Sequence, residues 1–328
     1  MAALILFISL FQDNSTGLLA SAISMICFGF ADSLWKIPTT VFGSARTVFF
    51  RNIFVVSIVL PYFLISEKRT FISEQAVWAT IGIGFLAYLG LYFFAKSTKN
   101  GMTSVVVPVS STNTLVTLVL SILTFDSGVN WIVGLGISIT LLGLVMLKIN
   151  WKNGRIELVI FKDSGLRYAL IAAIFWGFSF AYSYFAVTFT GPALFTIMLE
   201  SVILVLAGIH SVSLQFIHRS SDNAFKKDMG IFEKFSVTGG KIRLSTQMKQ
   251  NWMVLAAIGV LGAAGTIFNS IALDKASINT VTGIVVMAPI ISVIFGQLYY
   301  GEILTRQQKW AIFLLISGVF IISYFRYY

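Results

Sequence analysis

Two charged residues stand inside long apolar stretches, and they are the first places where this chain could do chemistry. Arg51 lies within SARTVFFRNIFVVSIVLPYF and Glu200 within PALFTIMLESVILVLAG. A charge inside a bilayer is costly, so it faces a partner or a water-filled path and is a functional candidate by default. A guanidinium and a carboxylate at matched depth can bind a charged substrate between them, or the carboxylate can carry a coupling proton. The competing reading is a structural ion pair, or two groups satisfied separately where helices meet. Asn52 adjoins Arg51 but on a helix points roughly 100° away from it.

A second set is polar or aromatic rather than charged. Asn113, beside Ser110, Ser111 and Thr112, and Asn269, beside Ser270, interrupt apolar runs. The asparagines suit a cavity wall that hydrogen-bonds a polar solute, and the serines suit helix packing. Trp176 and Phe28, with Tyr182 and Tyr184, are candidates for the wall facing a flat or apolar substrate, against a plain reading as packing or lipid-facing aromatics. Pro108 and Pro289, each inside an apolar run, are candidate gating points, because a bilayer bundle tolerates the broken helix that proline imposes. Gly259, Gly262 and Gly265 recur every third residue and read as a close-packing edge. His210 and His218 have no partner at metal-ligand spacing, so no metal site is expected. No HExxH, GxSxG or GxxxxGK[ST] occurs. An intramembrane protease, a hydrolase and an ATP-driven pump are therefore without support, and neither enzymatic activity nor a cofactor is expected.

Composition supplies the elements that must hold these residues. The chain is 57% hydrophobic and only 11% charged, with mean hydropathy +0.88, which is a membrane protein's composition rather than a soluble domain's. Its net charge of +10 would suggest nucleic acid in a soluble protein, but here Lys and Arg sit between apolar runs, where they set topology and meet headgroups. No nucleic-acid partner is expected; the lipid bilayer, a small-molecule substrate and protons are. Cys27 lies in an apolar run, and as the single cysteine it forms no intrachain disulfide.

Residues 1–16 read as an N-terminal tail too short in its apolar part to cross a bilayer. Ten spans follow, at about 17–35, 44–65, 77–95, 102–124, 130–148, 167–188, 192–214, 252–273, 278–300 and 308–325, each near the ~20 residues that a crossing needs. They divide into a five-helix repeat at 17–148, a connecting loop at 149–166, and a second repeat at 167–328. The second repeat contains a polar, basic loop at 218–251. The halves echo one another: Phe28-Gly29-Phe30 against Trp176-Gly177-Phe178, and Gly143 against Gly318. Five is odd, so the second half enters from the opposite side. The expected fold is an all-α polytopic membrane protein of ten transmembrane helices in two inverted repeats, with substrate bound near the midplane between them.

The hairpin from Ala276 to Tyr324 carries a family signature: a span with Ala288-Pro289, the turn Tyr300-Gly301-Glu302-Ile303-Leu304-Thr305, and a last span bearing Gly318. With the repeats, it resembles the drug/metabolite transporter superfamily, in its ten-span EamA-like branch. The first half departs from the pattern. Phe125-Asp126-Ser127-Gly128 stands in place of a second Gly-Glu turn, and no proline lies at Thr112-Asn113. The resemblance implies a secondary transporter that moves a small metabolite (an amino acid, or a sugar-like or drug-like solute) by alternating access, located in the plasma (bacterial inner) membrane. A flippase for a lipid-linked substrate shares the fold, and a scaffold or sensor using the 218–251 loop is the reading from another class. The basic residues favour both termini outside by the positive-inside rule, whereas the resemblance implies both termini in the cytoplasm.

Overall fold

The computed structural model describes residues 15–66, 73–125, 131–152, 155–158, 163–219, 237–238, 241–242, 246–276 and 278–325. Residues 1–14 of the expected tail, the Asp126-Ser127-Gly128 stretch and most of the 218–251 loop lie outside these residues, and the last two tail positions, Ser15 and Thr16, already belong to the first helix. Helices α1 (Ser15–Leu34), α2 (Lys36–Phe42), α3 (Ser44–Ile65), α4 (Glu74–Asn100), α5 (Thr103–Ser110), α6 (Asn113–Phe125) and α7 (Trp131–Lys148) build the first half. The second half consists of α8 (Ser164–Thr190), α9 (Pro192–Arg219), α10 (Thr246–Lys275), α11 (Ile278–Val285), α12 (Ala288–Tyr299) and α13 (Arg306–Phe325).

Among the described residues eight helices are long and apolar enough to cross a bilayer, and the shorter apolar helices Trp131–Met146 and Gly283–Tyr299 supply the other two expected crossings. The membrane body is all-α, as the sequence implies. Two antiparallel ribbons sit between spans: β1 (Ile149–Lys152) with β2 (Arg155–Leu158), and β3 (Val237–Thr238) with β4 (Lys241–Ile242). The second lies in the stretch read as a polar, basic loop, and α9 and α10 extend into that stretch from both sides.

The two halves pack as an interlocked pair. Helix α1 lies against α10 and α8 against α4, the same contact made twice with the halves exchanged, while α7 pairs with α13 and α3 with α9. Gly43 and Gly191, just before α3 and α9, both adopt positive φ, at 80° and 78°, a left-handed turn that only glycine enters at no steric cost. Exposed Leu19, Ile26, Phe30, Leu135, Ile209, Val260 and Phe313 line the outside, where lipid rather than water is the solvent.

The fourth and ninth spans, which carry the candidate gating prolines Pro108 and Pro289, are both broken. Helix α5 stops at Ser110 and α6 begins at Asn113, and α11 stops at Val285 and α12 begins at Ala288. Proline accounts for the second break, since Pro289 falls in the first turn of α12, where its missing N–H costs nothing. In the first half Pro108 lies inside α5, and the turn is closed by Thr112 donating to the Val109 carbonyl, 3.1 Å from its backbone N–H and 2.8 Å from its hydroxyl.

One end of the bundle carries the turns around 35–43, 100–103 and 300–306 and both ribbons. The opposite end carries the start of α1 and the end of α13.

Candidate functional site

Arg51 on α3 and Glu200 on α9 meet, with Arg51 Nη1 donating to Glu200 Oε2 at 3.1 Å and only 6% and 3% of the two side chains exposed. Asn52 joins them: its Nδ2 donates to Glu200 Oε2 at 2.8 Å and to the Glu200 carbonyl at 3.2 Å, and its Oδ1 accepts from Arg51 Nη1 at 2.8 Å. Helix geometry had set Asn52 aside as pointing away. The long Arg51 side chain reaches round the helix instead, so both residues hold one carboxylate. Thr266 on α10 donates to Glu200 Oε1 at 3.1 Å. Glu200 therefore has donors on both carboxylate oxygens, which is what a buried ion pair needs to offset its desolvation.

Gly262 on α10 makes room for the cation. A Cβ there would collide with Arg51 Nη2 and come within 3.1 Å of both Cζ and Nε. Arg51 Nε is buried and has no hydrogen-bond partner among the described residues.

The site sits where the halves mirror each other. Asn52 stands as far beyond Gly43 as Glu200 stands beyond Gly191, so the two equivalent positions bond to each other directly. Around them the contacts recur in pairs. Thr117 donates to the Gly177 carbonyl and Ser292 to the Gly29 carbonyl, each at 3.0 Å. Phe28 packs on Gly265 and Trp176 on Gly90, with no room for a Cβ at either glycine.

A third intramembrane charge, Asp32 on α1, went unnoticed in the sequence because it falls near the end of the first expected span. The structure carries the helix onward. Trp35 keeps helical dihedrals (φ −56°, ψ −32°) and α2 runs on to Phe42, which places Asp32 well inside. Asp32 is partly exposed, its charge interacts with that of Arg51, and it makes no hydrogen bond or ion pair among the described residues.

At the loop end, Glu302 of the Gly-Glu turn ties three segments together. It accepts from Lys36 Nζ at 2.8 Å, from the backbone N–H groups of Thr103 and Ser104 at 2.8 Å each, and from Ser104 Oγ at 2.7 Å. The carboxylate thus caps α5, where a helix N-terminus favours negative charge, and pairs with α2. Burial pushes the Glu302 pKa up, but the bonds from Lys36, Ser104 and Thr103 outweigh it and leave the group below its ordinary value. Lys36 also lies 5.3 Å from the Tyr300 ring centroid. Beside this latch is a cavity of about 410 Å³ whose lining includes Lys36, Lys99, Asn100, Met102, Asp163 and Gln308.

The sequence pattern of the EamA-like transporter family matches residues 15–149 and again 163–324. The chain belongs to the EamA-like transporter family. It is thus a multi-pass membrane transporter of the drug/metabolite transporter superfamily, a family of transporters and not of enzymes. The chain also matches a solved protein, described only as "Crystal structure of protein", at TM-score 0.54 and 13% identity. That match covers 94% of this chain and 96% of the other and is a likeness of fold alone. No curated protein is significantly similar in sequence.

The transporter's other candidate residues are placed as follows. Asn269 lies on the face of α10 that carries Gly262 and Thr266, by the periodicity of a helix. Asn113 opens α6, and its Oδ1 accepts from Thr114 Oγ1 at 3.3 Å. Trp176 packs between α8 and α4, with its ring 5.0 Å from that of Phe94. Pro108 and Pro289 are buried beside the two helix breaks. The structure brings together Arg51 and Glu200 and adds Asn52, Thr266 and Asp32. Lys96, on the last turns of α4, lies 5.0 Å from both the Tyr92 and Tyr168 ring centroids, and His210 Nδ1 hydrogen-bonds to the Tyr88 hydroxyl.

Proposed function

We propose that the transporter is a secondary carrier that moves a small polar or amphipathic metabolite across the plasma membrane by alternating access. The observation that supports this most directly is the cross-repeat bond between the equivalent positions Asn52 and Glu200, braced by Arg51 and Thr266. It gives the two halves a fixed point near the midplane about which each can rock. The breaks beside Pro108 and Pro289 supply the flexing points, and Asn113 and Asn269 offer hydrogen-bonding groups on the walls between the halves. Glu302 and Lys36 close the loop end, and parting them is the step that opens it.

A thermal-unfolding screen of the purified protein against a panel of small metabolites tests the reading, repeated on Arg51→Ala and Glu200→Ala. A metabolite that raises the wild-type midpoint by several degrees, and is then taken up by proteoliposomes, supports it. No shift and no uptake from any member of a broad panel overturns it. Protease cleavage of the 218–251 segment in sealed inside-out vesicles fixes orientation: cleavage means the loop end is cytoplasmic and the termini are outside, and protection means the reverse.

A further inference from the structure

We propose that Asp32 is the proton-exchanging carboxylate of this transporter, with Glu200 as a fixed structural anion. The proposal rests on the secondary-transport reading above and assigns its coupling site.

Position comes first. On α1 the exposed residues Leu19, Ile26 and Phe30 mark the lipid-facing stripe. At ~100° per residue Asp32 lies roughly 140° round the helix from that stripe, so its partial exposure opens into the protein interior and not to lipid. Counted back from Phe42, Asp32 is ~15 Å from the loop end, and counted on from Gly43, Arg51 is ~12 Å from it. Both depths approach half of a ~30 Å hydrocarbon core.

Chemistry separates the two carboxylates. Glu200 is engaged by Arg51, Asn52 and Thr266, so a proton arriving there has to displace a donor. Asp32 has no donor to displace among the described residues. The Arg51 guanidinium, whose Nη1 is committed to Asn52 and Glu200, interacts with Asp32 by charge with no direct bond between them among the described residues. Proton binding and release can then proceed with little rearrangement.

The charged groups on the elements packed around α1 leave this pairing alone at that depth. Helix α10 presents Asp274 and Lys275 at its far end, bonded to each other at 3.2 Å, and Lys249 at the loop end. Helices α5, α11 and α12 carry no Asp, Glu, Lys, Arg or His. Lys36 lies one turn beyond Asp32 and is held by Glu302, and the Tyr300 hydroxyl donates to the Ser33 carbonyl at 2.8 Å. The position matching Asp32 in the second repeat, counted from Gly191 as Asp32 is from Gly43, is Phe180. The repeat symmetry therefore supplies one such site and not two.

The test needs no knowledge of the substrate. The purified full-length protein in lipid nanodiscs is treated with dicyclohexylcarbodiimide, which attacks protonated carboxyls in apolar surroundings, and labelled peptides are mapped by mass spectrometry. Infrared difference spectra between acidic and alkaline buffer report the carbonyl band of a protonated acid. The expected result is labelling at Asp32 that falls several-fold as pH rises, none at Glu200, and loss of both label and band in Asp32→Asn. Labelling at Glu200, no labelling at Asp32, or a band that persists in Asp32→Asn overturns the proposal. Should Asp32→Asn not fold, Asp32→Glu is expected to keep the label and move the titration, and an unmoved titration overturns the proposal equally. Failure here leaves the metabolite screen untouched, whereas a failed screen removes transport itself.

Discussion

The two repeats share a scaffold and differ in where they keep their charges. Phe28 on Gly265 is answered by Trp176 on Gly90, and Ser292 on the Gly29 carbonyl by Thr117 on that of Gly177. The charged positions have no such echo. Asn52 faces Glu200, Asp32 corresponds to Phe180, and Tyr184 stands at the place of Lys36 when each is counted from its following glycine. The Glu302 latch closes the loop end, and the matching turn of the first repeat reads Phe125-Asp126-Ser127-Gly128. Apolar packing is satisfied by shape alone and tolerates duplication. A buried charge needs a specific partner, so one charged group at a symmetric position is enough to distinguish the two halves.

Removing the charge that crosses the symmetry axis is the most damaging way to break this comparison. Glu200→Ala leaves Arg51 buried without its partner and is expected to cost on the order of 3–5 kcal/mol, read as loss of the monodisperse peak in detergent. Asn52→Ala keeps the ion pair and should cost markedly less in the same assay.

Glycine packing comes next. Gly262→Ala drives a methyl into the Arg51 guanidinium and is expected to destabilise by about 1–3 kcal/mol. Gly82→Ala, where a Cβ meets nothing within 4 Å, should be neutral. A thermal melt that does not separate the two would remove the case that Gly262 shapes the site.

The latch gives a smaller but directional effect. Glu302→Gln should raise the modification rate of a cysteine placed at Gln308 several-fold and leave one at Trp78, toward the other end, unchanged. Because the Glu302 pKa is lowered in the folded protein, its contribution is present above the ordinary glutamate value near 4.5. It is lost only as pH falls below that value through the lowered one, so the wild type should loosen at the loop end on acidification and Glu302→Gln should not respond. The smallest effect sharpens the symmetry itself: Thr117→Val and Ser292→Ala each remove the matched hydrogen bond together with a second one, to the Asn113 carbonyl and from Ser33 respectively, and each should cost ~0.6 kcal/mol per bond lost in parallel unfolding titrations.

The family and the inverted repeat were legible because they rest on periodic apolar runs and on a local turn, Gly301-Glu302, whose meaning is carried by adjacent residues. Arg51 and Glu200 were legible because a charge in an apolar run is visible without knowing the fold. Asp32 was hidden by a boundary. A span ended at residue 35 leaves it near the membrane edge, and only the helical continuation to Phe42 shows that it is deep. The Asn52 contact was hidden by angle, since helical position fixes where a Cβ points and not how far a flexible neighbour reaches. The break at Ser111-Thr112 was only partly legible, because its proline, Pro108, lies one turn before it and not in the turn itself.

By itself the sequence determined that this chain crosses a membrane repeatedly, in two related halves, with a charge of each sign at matched depth. Those facts follow from the cost of exposing apolar or burying charged groups, which each segment carries with it. The tertiary structure decided which charges meet, which oxygen atoms of Glu200 are filled, that Asp32 is left open, and that Glu302 caps a helix from the other half. These depend on distances between segments remote in the chain, and a hydrogen bond exists only when folding brings its donor and acceptor within reach.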